Sequence, residues 1–578
     1  MIENLFSSKI LFEVLAFVFE NENKSLGTSE IIKATGKNQV NVMRSLEKLA
    51  EWQFLVKEKQ GNQNFFKLNK ENAYFETLKN LFNIHNQQNK KFFLINEEGN
   101  MSFLSIHYAM LGFVDEECVK YGIMNQVPNM LGFFKNNYAW FYVEADKWDK
   151  CMKESLPKLL NDSSFVENII YKKSVEKGIE ALKLFKELSD IDFKPNQTRA
   201  ISLIEHFENI IKTQITFNYV AVLDLKDGLF SNYLKNYLDK KVKGTGLNVN
   251  LVMQKLLDPD KLTYTQLLRI ELLQLAIKSK DNVDLPENEL AKITKEWEWL
   301  NYGYRGPALS SEYFEQIYRE ISEKDINSLE TELKYLHNYE KIVSKEKLEI
   351  YNQIKIDEKH RNFIDALSLL SYLKVYRKDT SFLLFYLTYK ILDNYNKDIK
   401  PDNLHYITLD EAKELIRGKL KITRAQLISR EQCSAYLSRE QKLFIGLEAE
   451  ELVKNSIEHV MEDKNAVGLK LLEGMTASMG KTGDWIYGEV KIVNTSEDMK
   501  NMREGDILVS VATTPDILPA MKKAAAIVTD HGGITCHAAI VSRELNIPCL
   551  IATKYATKVF KNGDKVIVCP RHGYIKFQ

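Results

Sequence analysis

Residues 527–548 read Ile-Val-Thr-Asp-His-Gly-Gly-Ile-Thr-Cys-His-Ala-Ala-Ile-Val-Ser-Arg-Glu-Leu-Asn-Ile-Pro. A short apolar run, Ala524 to Val528, leads into the pair Gly532-Gly533, and Thr535 then stands as the expected N-cap of a helix whose Ala538, Val541 and Leu545 fall at i, i+3 and i+7. The pattern is strand, glycine turn, helix. Two glycines let backbone approach a ligand closely, and a first helical turn offers unpaired N–H groups and a positive dipole end to an anion. His537 lies in that turn.

An imidazole so placed is disfavoured as imidazolium and keeps a neutral nitrogen able to attack phosphorus. The same N–H groups would stabilise a phosphoryl group on the ring by about 0.3–2 kcal/mol. A lone histidine at a helix start reads more simply as a cap or a packing residue, so the surrounding residues decide. Thr529, Gly532, Gly533, Thr535, Cys536, His537, Ala538, Ala539 and Ile540, followed by Arg543-Glu544-Leu545 and Ile547-Pro548, resemble the signature of the phosphoenolpyruvate-utilising mobile domain. This is the swivelling phosphohistidine domain of phosphoenolpyruvate synthase, pyruvate phosphate dikinase and rifampin phosphotransferase. The resemblance implies that His537 is the phosphate carrier and that Thr535 helps hold the phosphoryl group. It also implies a phosphate loop of Gly532, Gly533, Cys536 and Arg543. His531 is expected to have no chemical role.

The 578 residues are 44% hydrophobic and 27% charged, enough for three or four domains. Lys plus Arg and Asp plus Glu are both 79, so the whole molecule has no bulk attraction for nucleic acid or an anionic membrane. No apolar run reaches membrane-spanning length and the N-terminus lacks a signal-peptide layout, so a cytoplasmic protein with no membrane partner is expected. The six cysteines form no Cys-x-x-Cys pair and are expected as free thiols, with no metal site.

The chain reads as multidomain and mostly α. Helical patterns over residues 8–20, from Thr28 to Gly36 and from Asn38 to Leu49 precede two strand-like runs, Phe54 to Lys59 and Asn64 to Leu68. Residues 1–84 thus resemble a winged helix-turn-helix regulator. That resemblance implies DNA contacts from Asn38, Gln39, Asn41, Arg44, Ser45 and Lys48 on the third helix, and from Lys57, Lys59 and Lys67 on the hairpin. The basic excess from Lys33 to Lys67 is four, seven against three, which suits a dimerisation or protein-docking module nearly as well.

Residues 85–420 read as a helical region, opened by strand-like runs at 92–95 and 101–105. Its aromatic cluster of Trp297, Trp299, Tyr302 and Tyr304 beside Arg305 makes Trp297, Trp299, Tyr304 and Arg305 the candidate acceptor site. The stretch Tyr376-Arg377-Lys378-Asp379, with Tyr406 to Glu411, Arg417 and Arg424, resembles the helical part that precedes the mobile domain in related phosphotransferases. Residues 421–466 are expected as a helical linker and hinge, pivoting at Glu462–Ala466.

Residues 467–578 are expected as the α/β swivelling domain, folded independently and with few contacts to the helical body. The stretch Gly474 to Thr482 imitates a phosphate-binding P-loop but carries five residues between its glycines where the motif has four. Neither an ATP-grasp pattern nor room for a barrel is read in this chain. The expected function is a phosphotransferase component that needs an ATP-grasp or phosphoenolpyruvate-binding partner, with ATP or phosphoenolpyruvate as donor and Mg2+ at the partner's site. The alternative is a DNA-binding regulator, dimeric through its winged helix, whose activity phosphorylation of His537 biases.

Overall fold

The computed structural model describes residues 9–21, 24–61, 63–75, 92–98, 101–112, 117–124, 126–136, 138–189, 196–225, 228–280, 286–396, 401–457, 469–480, 485–494, 497–513, 517–532 and 536–578. The expected pivot, Glu462–Ala466, lies outside them. The described residues are mostly helical, with a sheet-rich C-terminus. Contacts divide the chain into two compact units, residues 1–91 with 454–456, and 92–453 with 457–578.

In the first unit the helices Lys9–Glu20, Thr28–Thr35 and Gln39–Glu51 join the strands β1 (Leu26–Gly27), β2 (Leu55–Gln60) and β3 (Gln63–Leu68). The strands are antiparallel in the order β1-β3-β2. The side chain of Asn38 accepts from the N–H of Val40 and starts the third helix. Val14, Leu15, Ile31, Leu46 and Phe66 form the buried core.

The second unit is built on the helix Glu358–Asp393, whose 36 residues span about 54 Å. From Phe363 to Leu392 most of its residues are buried, as in a helix enclosed by others. Helix Lys172–Ser189 packs against it so closely that a Cβ at Gly178 would lie 2.1 Å from the Tyr376 hydroxyl. Only glycine fits there.

An antiparallel sheet flanks these helices, with β4 (Phe92–Glu98), β5 (Met130–Lys135), β6 (Tyr138–Glu144), β7 (Ser434–Leu437) and β8 (Lys442–Ile445) in the order β4-β6-β5-β7-β8. Two expectations are corrected here. Residues 434–445 form a hairpin that pairs with the edge of β5 rather than part of a helical linker; helix resumes only at Leu447–Ser456. Residues 103–105 begin a helix, Phe103–Gly112, whose N–H of Ser105 is taken by Ser102. A short, wholly buried apolar run carries no period, so the pattern alone could not separate strand from helix.

The C-terminal sheet comprises β9 (Leu471–Glu473), β10 (Met475–Ser478), β11 (Ile486–Ile492), β12 (Ile507–Ser510), β13 (Ala526–Thr529), β14 (Cys549–Ile551), β15 (Lys565–Cys569) and β16 (Tyr574–Phe577). Their order is β10-β14-β13-β12-β11-β15-β16-β9, with β11 to β14 parallel. Within the P-loop look-alike, Met475–Ser478 form the extended strand β10, where a phosphate loop would curl around its ligand; Lys481 and Thr482 lie outside the described residues.

This sheet is not loosely tethered. Helix Val249–Leu257 lies against β10, Gln254 accepts from the N–H of Met479 at 3.1 Å, and Asn248 and Asn250 donate to the carbonyl of Arg571. Met475, Ala477, Ala538 and Ala539 belong to the same buried cluster as the helical body. The expectation of few, polar contacts is therefore corrected, because one face of β10 and one face of the helix after β13 are apolar and find their cover in the helical body.

Candidate functional site

Two loops leave the carboxyl ends of the adjacent parallel strands β12 and β13, where open α/β sheets gather ligands. The first is held by Asn494, whose Oδ1 accepts from the N–H of Val511 at 2.8 Å and from the Ser510 hydroxyl at 3.0 Å. It carries Thr513, whose Oγ1 lies 2.8 Å from Nδ1 of His537. The second loop turns at Gly532, with φ of +124°; a Cβ there would stand 2.7 Å from the Cys536 sulfur. The helix His537–Glu544 follows, with His537 as its first residue.

His537 opens on a cavity of about 240 Å3 between these loops and the helical body. Burial, and then the charge of Lys378, pulls its imidazole down to about 3, so the ring is neutral at physiological pH. Thr513 fixes one ring nitrogen and leaves Nε2 to face other groups.

The opposite wall is the helix Glu358–Asp393, which contributes Lys374, Arg377, Lys378, Asp379 and Phe382. Three cations thus converge from one helix face at i, i+3 and i+4. Burial pulls the Lys374 ammonium down to about 8, with Cys536 and Asp224 nearby. Asp379 is buried, and burial, then the Glu544 carboxyl, pushes it up to about 8. Glu544, on the His537 helix, lines the cavity while remaining exposed, and loss of hydration pushes its carboxyl up to about 7.

Residues 502–573 match the family described as PEP-utilising enzyme, mobile domain. The chain is 50% identical over 122 residues to a probable phosphoenolpyruvate synthase of Archaeoglobus fulgidus, covering 21% of this chain and 15% of that protein. It is also 50% identical over 105 residues to phosphoenolpyruvate synthase of Pyrococcus furiosus, covering 18% and 12%, and 49% identical over 86 residues to that of Deinococcus radiodurans, covering 15% and 11%. The chain spans about a seventh or less of the length of the curated relatives it matches.

In the mobile domain, His537, Cys536 and Gly532 meet at the cavity, and His531, expected to be idle, lines it too. Gly533 and Thr535 lie outside the described residues. The residue capping the His537 helix is Cys536, not Thr535, and its side chain makes no capping bond. Val541 and Leu545 are only partly buried, while Ala538, Ala539 and Ser542 take the inner face. Arg543 does not line the cavity: it donates from Nε to the carbonyl of Ala477 at 2.9 Å and lies 3.8 Å from the Asp258 carboxylate.

Of the candidate acceptor residues, only Tyr304 reaches the cavity. Trp297 and Trp299 are buried in an aromatic stack with Tyr264, their N–H groups bound to Glu271 and to the carbonyl of Glu296. Arg305 turns to the Tyr406 ring and hydroxyl. These rings satisfy each other. Thr513 and Lys374 were not singled out beforehand, and Glu544 was quoted only within the signature; a recoverable signal was the set of charges at 374, 377, 378 and 379 in the largely buried middle of a long helix.

In the first unit Gln39, Asn41, Arg44 and Lys59 are exposed. Ser45 is not available to a groove, being buried at 6% exposure. Lys48 lies over the Trp52 ring, Lys57 pairs with Glu47 and Lys67 pairs with Glu58.

Proposed function

We propose that this chain is a phosphotransferase component whose His537 carries a phosphoryl group from a donor site to an acceptor site. The observation that carries the reading is a neutral imidazole at the start of a helix, fixed through Nδ1 by Thr513 and facing three cations across a cavity. With the ring proton on Nδ1, donated to Thr513, the Nε2 lone pair attacks the donor phosphorus. Lys374, Arg377 and Lys378 then stand where charge develops on the transferring group.

The donor half-reaction is assigned to a partner of ATP-grasp or phosphoenolpyruvate-binding type, with ATP or phosphoenolpyruvate and Mg2+. The relatives' name, phosphoenolpyruvate synthase, supports this class. In this reading the docked conformation is the acceptor station of a swivelling domain, with the division 1–84, 85–420 and 467–578 kept and the β7–β8 hairpin of 421–466 joined to the helical body. A cytoplasmic setting is supported by six cysteines without a disulfide. Among the described residues no helix is long and apolar enough to cross a membrane.

For the first 84 residues the order of three helices and an antiparallel hairpin supports a winged helix-turn-helix. The carboxylate partners of Lys57 and Lys67 remove cations a hairpin would offer to phosphates. They favour a docking or dimerisation module over a DNA reader.

The test is labelling of the full chain with the donor partner and labelled ATP, or with labelled phosphoenolpyruvate. The expected product is an acid-labile, base-stable phosphoprotein, reduced to background in His537→Ala. Label that persists in that variant, or that maps to His531, overturns the reading.

A further inference from the structure

We propose that Asp379 is the catalytic base of the acceptor half-reaction and that the acceptor is a small, largely apolar alcohol or phenol, an inference that rests on the carrier reading of His537. Asp379 sits at the cavity wall at 7% exposure, and its Oδ2 makes no hydrogen bond among the described residues. A buried carboxyl oxygen left without a donor costs stability and is retained where a ligand completes it. Its neighbours on the same helix, Lys374, Arg377 and Lys378, are the cations assigned to the phosphoryl group. Successive turns of one helix thus line the cavity with a charge clamp and, beside it, a proton acceptor.

The rest of the wall defines what approaches. Ile106, Met130, Phe141, Val222, Phe382 and Tyr304 make one side apolar, and Thr265 and Asn301 are its neutral polar members. The volume of about 240 Å3 falls below the 300–1,000 Å3 usual for drug-sized ligands. A polyol or a second phosphate would leave its polar groups unpaired against these side chains. A compact hydroxyl compound with an apolar body does not.

The step balances without any further reactant. The acceptor oxygen forms an O–P bond as the Nε2–P bond of phospho-His537 breaks, and that bond pair returns to the imidazole. The hydroxyl proton passes to the Asp379 carboxylate, which releases it to water after the phosphate ester leaves. Burial makes this carboxylate a stronger proton acceptor than an exposed one.

The full chain, loaded at His537 with labelled phosphoramidate, is mixed with benzyl alcohol or, as a polar control, glycerol. Release is normalised to the label present at the start. Transfer to benzyl alcohol is expected to outpace transfer to glycerol, and Asp379→Asn to slow it by about 100-fold, with Asp379→Glu recovering part of the rate. Wild-type transfer by Asp379→Asn removes the base, preference for glycerol removes the apolar class, and transfer to neither removes the acceptor site. Failure to load His537, or equal loading of His537→Ala, instead strikes the carrier reading beneath all of these.

Discussion

Two helices meet at the cavity, and they differ in how their sequences announce themselves. The helix His537–Glu544 has eight residues and lies within the stretch 502–573 that matches the mobile-domain family. The helix Glu358–Asp393 is more than four times as long and carries no comparable signature, yet it supplies the larger share of the charge at the site. Chemistry that depends on backbone is written in a fixed local pattern, because a glycine turn and a helix start must occur in order. A charge clamp needs only side chains on one face of a rigid rod, and many sequences meet that condition.

If this division is right, removing the long helix's charge should cost almost as much as removing a catalytic group. Lys374→Met with Arg377→Met is expected to slow release of label from His537 to an acceptor by at least about 100-fold, the scale for losing preorganised stabilisers of transition-state charge. Fold and loading provide the control, read by circular dichroism and by label per molecule. A loss below about threefold would mean that the short helix acts alone and that the cations merely solubilise a cavity.

The same contrast explains what could be read beforehand. In the C-terminal sheet β13, Ala526–Thr529, falls within two residues of the apolar run Ala524 to Val528, since such a run ahead of a Gly pair leaves little choice. β9 and β10 were missed, because Leu471–Glu473 and Met475–Ser478 are short and lie in a stretch that imitates a nucleotide loop. His537 was legible from its neighbours in sequence. Thr513 was not, since its partnership with Nδ1 exists only because β12 and β13 are parallel and adjacent. Trp297 and Trp299 misled for the opposite reason: an aromatic cluster in sequence looks the same whether it lines a ligand or packs on Tyr264.

Arg543 sharpens the comparison from the other side, as a signature residue that does not touch the site. Its guanidinium holds the Ala477 carbonyl and faces Asp258 of the helical body. Arg543→Met is therefore expected to lower stability by about 2–3 kcal/mol, the range for buried hydrogen bonds to charged groups, seen as a reduced thermal midpoint. Faster hydrogen exchange at β10 should accompany it, while label still forms on His537. Unchanged exchange with lost label would return Arg543 to the phosphate loop.

The smallest expected effect is a dependence of stability on pH, and it joins the two helices through their carboxyls. Asp379 at about 8 and Glu544 at about 7 stand well above their ordinary values of 3.8 and 4.5. Between those ordinary values and the raised ones, the folded chain holds protons that the unfolded chain has released, so stability falls as pH rises through the window. His537, lowered from 6.5 to about 3, acts in reverse: its contribution is complete above about 6.5 and is lost as pH falls toward 3. His531, also lowered by burial, has the same sign. Lys374, lowered to about 8, changes stability only above that pH. From pH 6.5 to 8 the two carboxyls thus act nearly unopposed, and the thermal midpoint should decline across that interval. Asp379→Asn should remove the larger part of the slope, because its carboxyl is the more deeply buried of the two. Glu544→Gln should remove the smaller part, because water in the cavity solvates its charge. A midpoint that rises over the interval, or a slope unchanged in Asp379→Asn, would mean that the two helices do not enclose these carboxyls together and that the cavity stands open to solvent in solution.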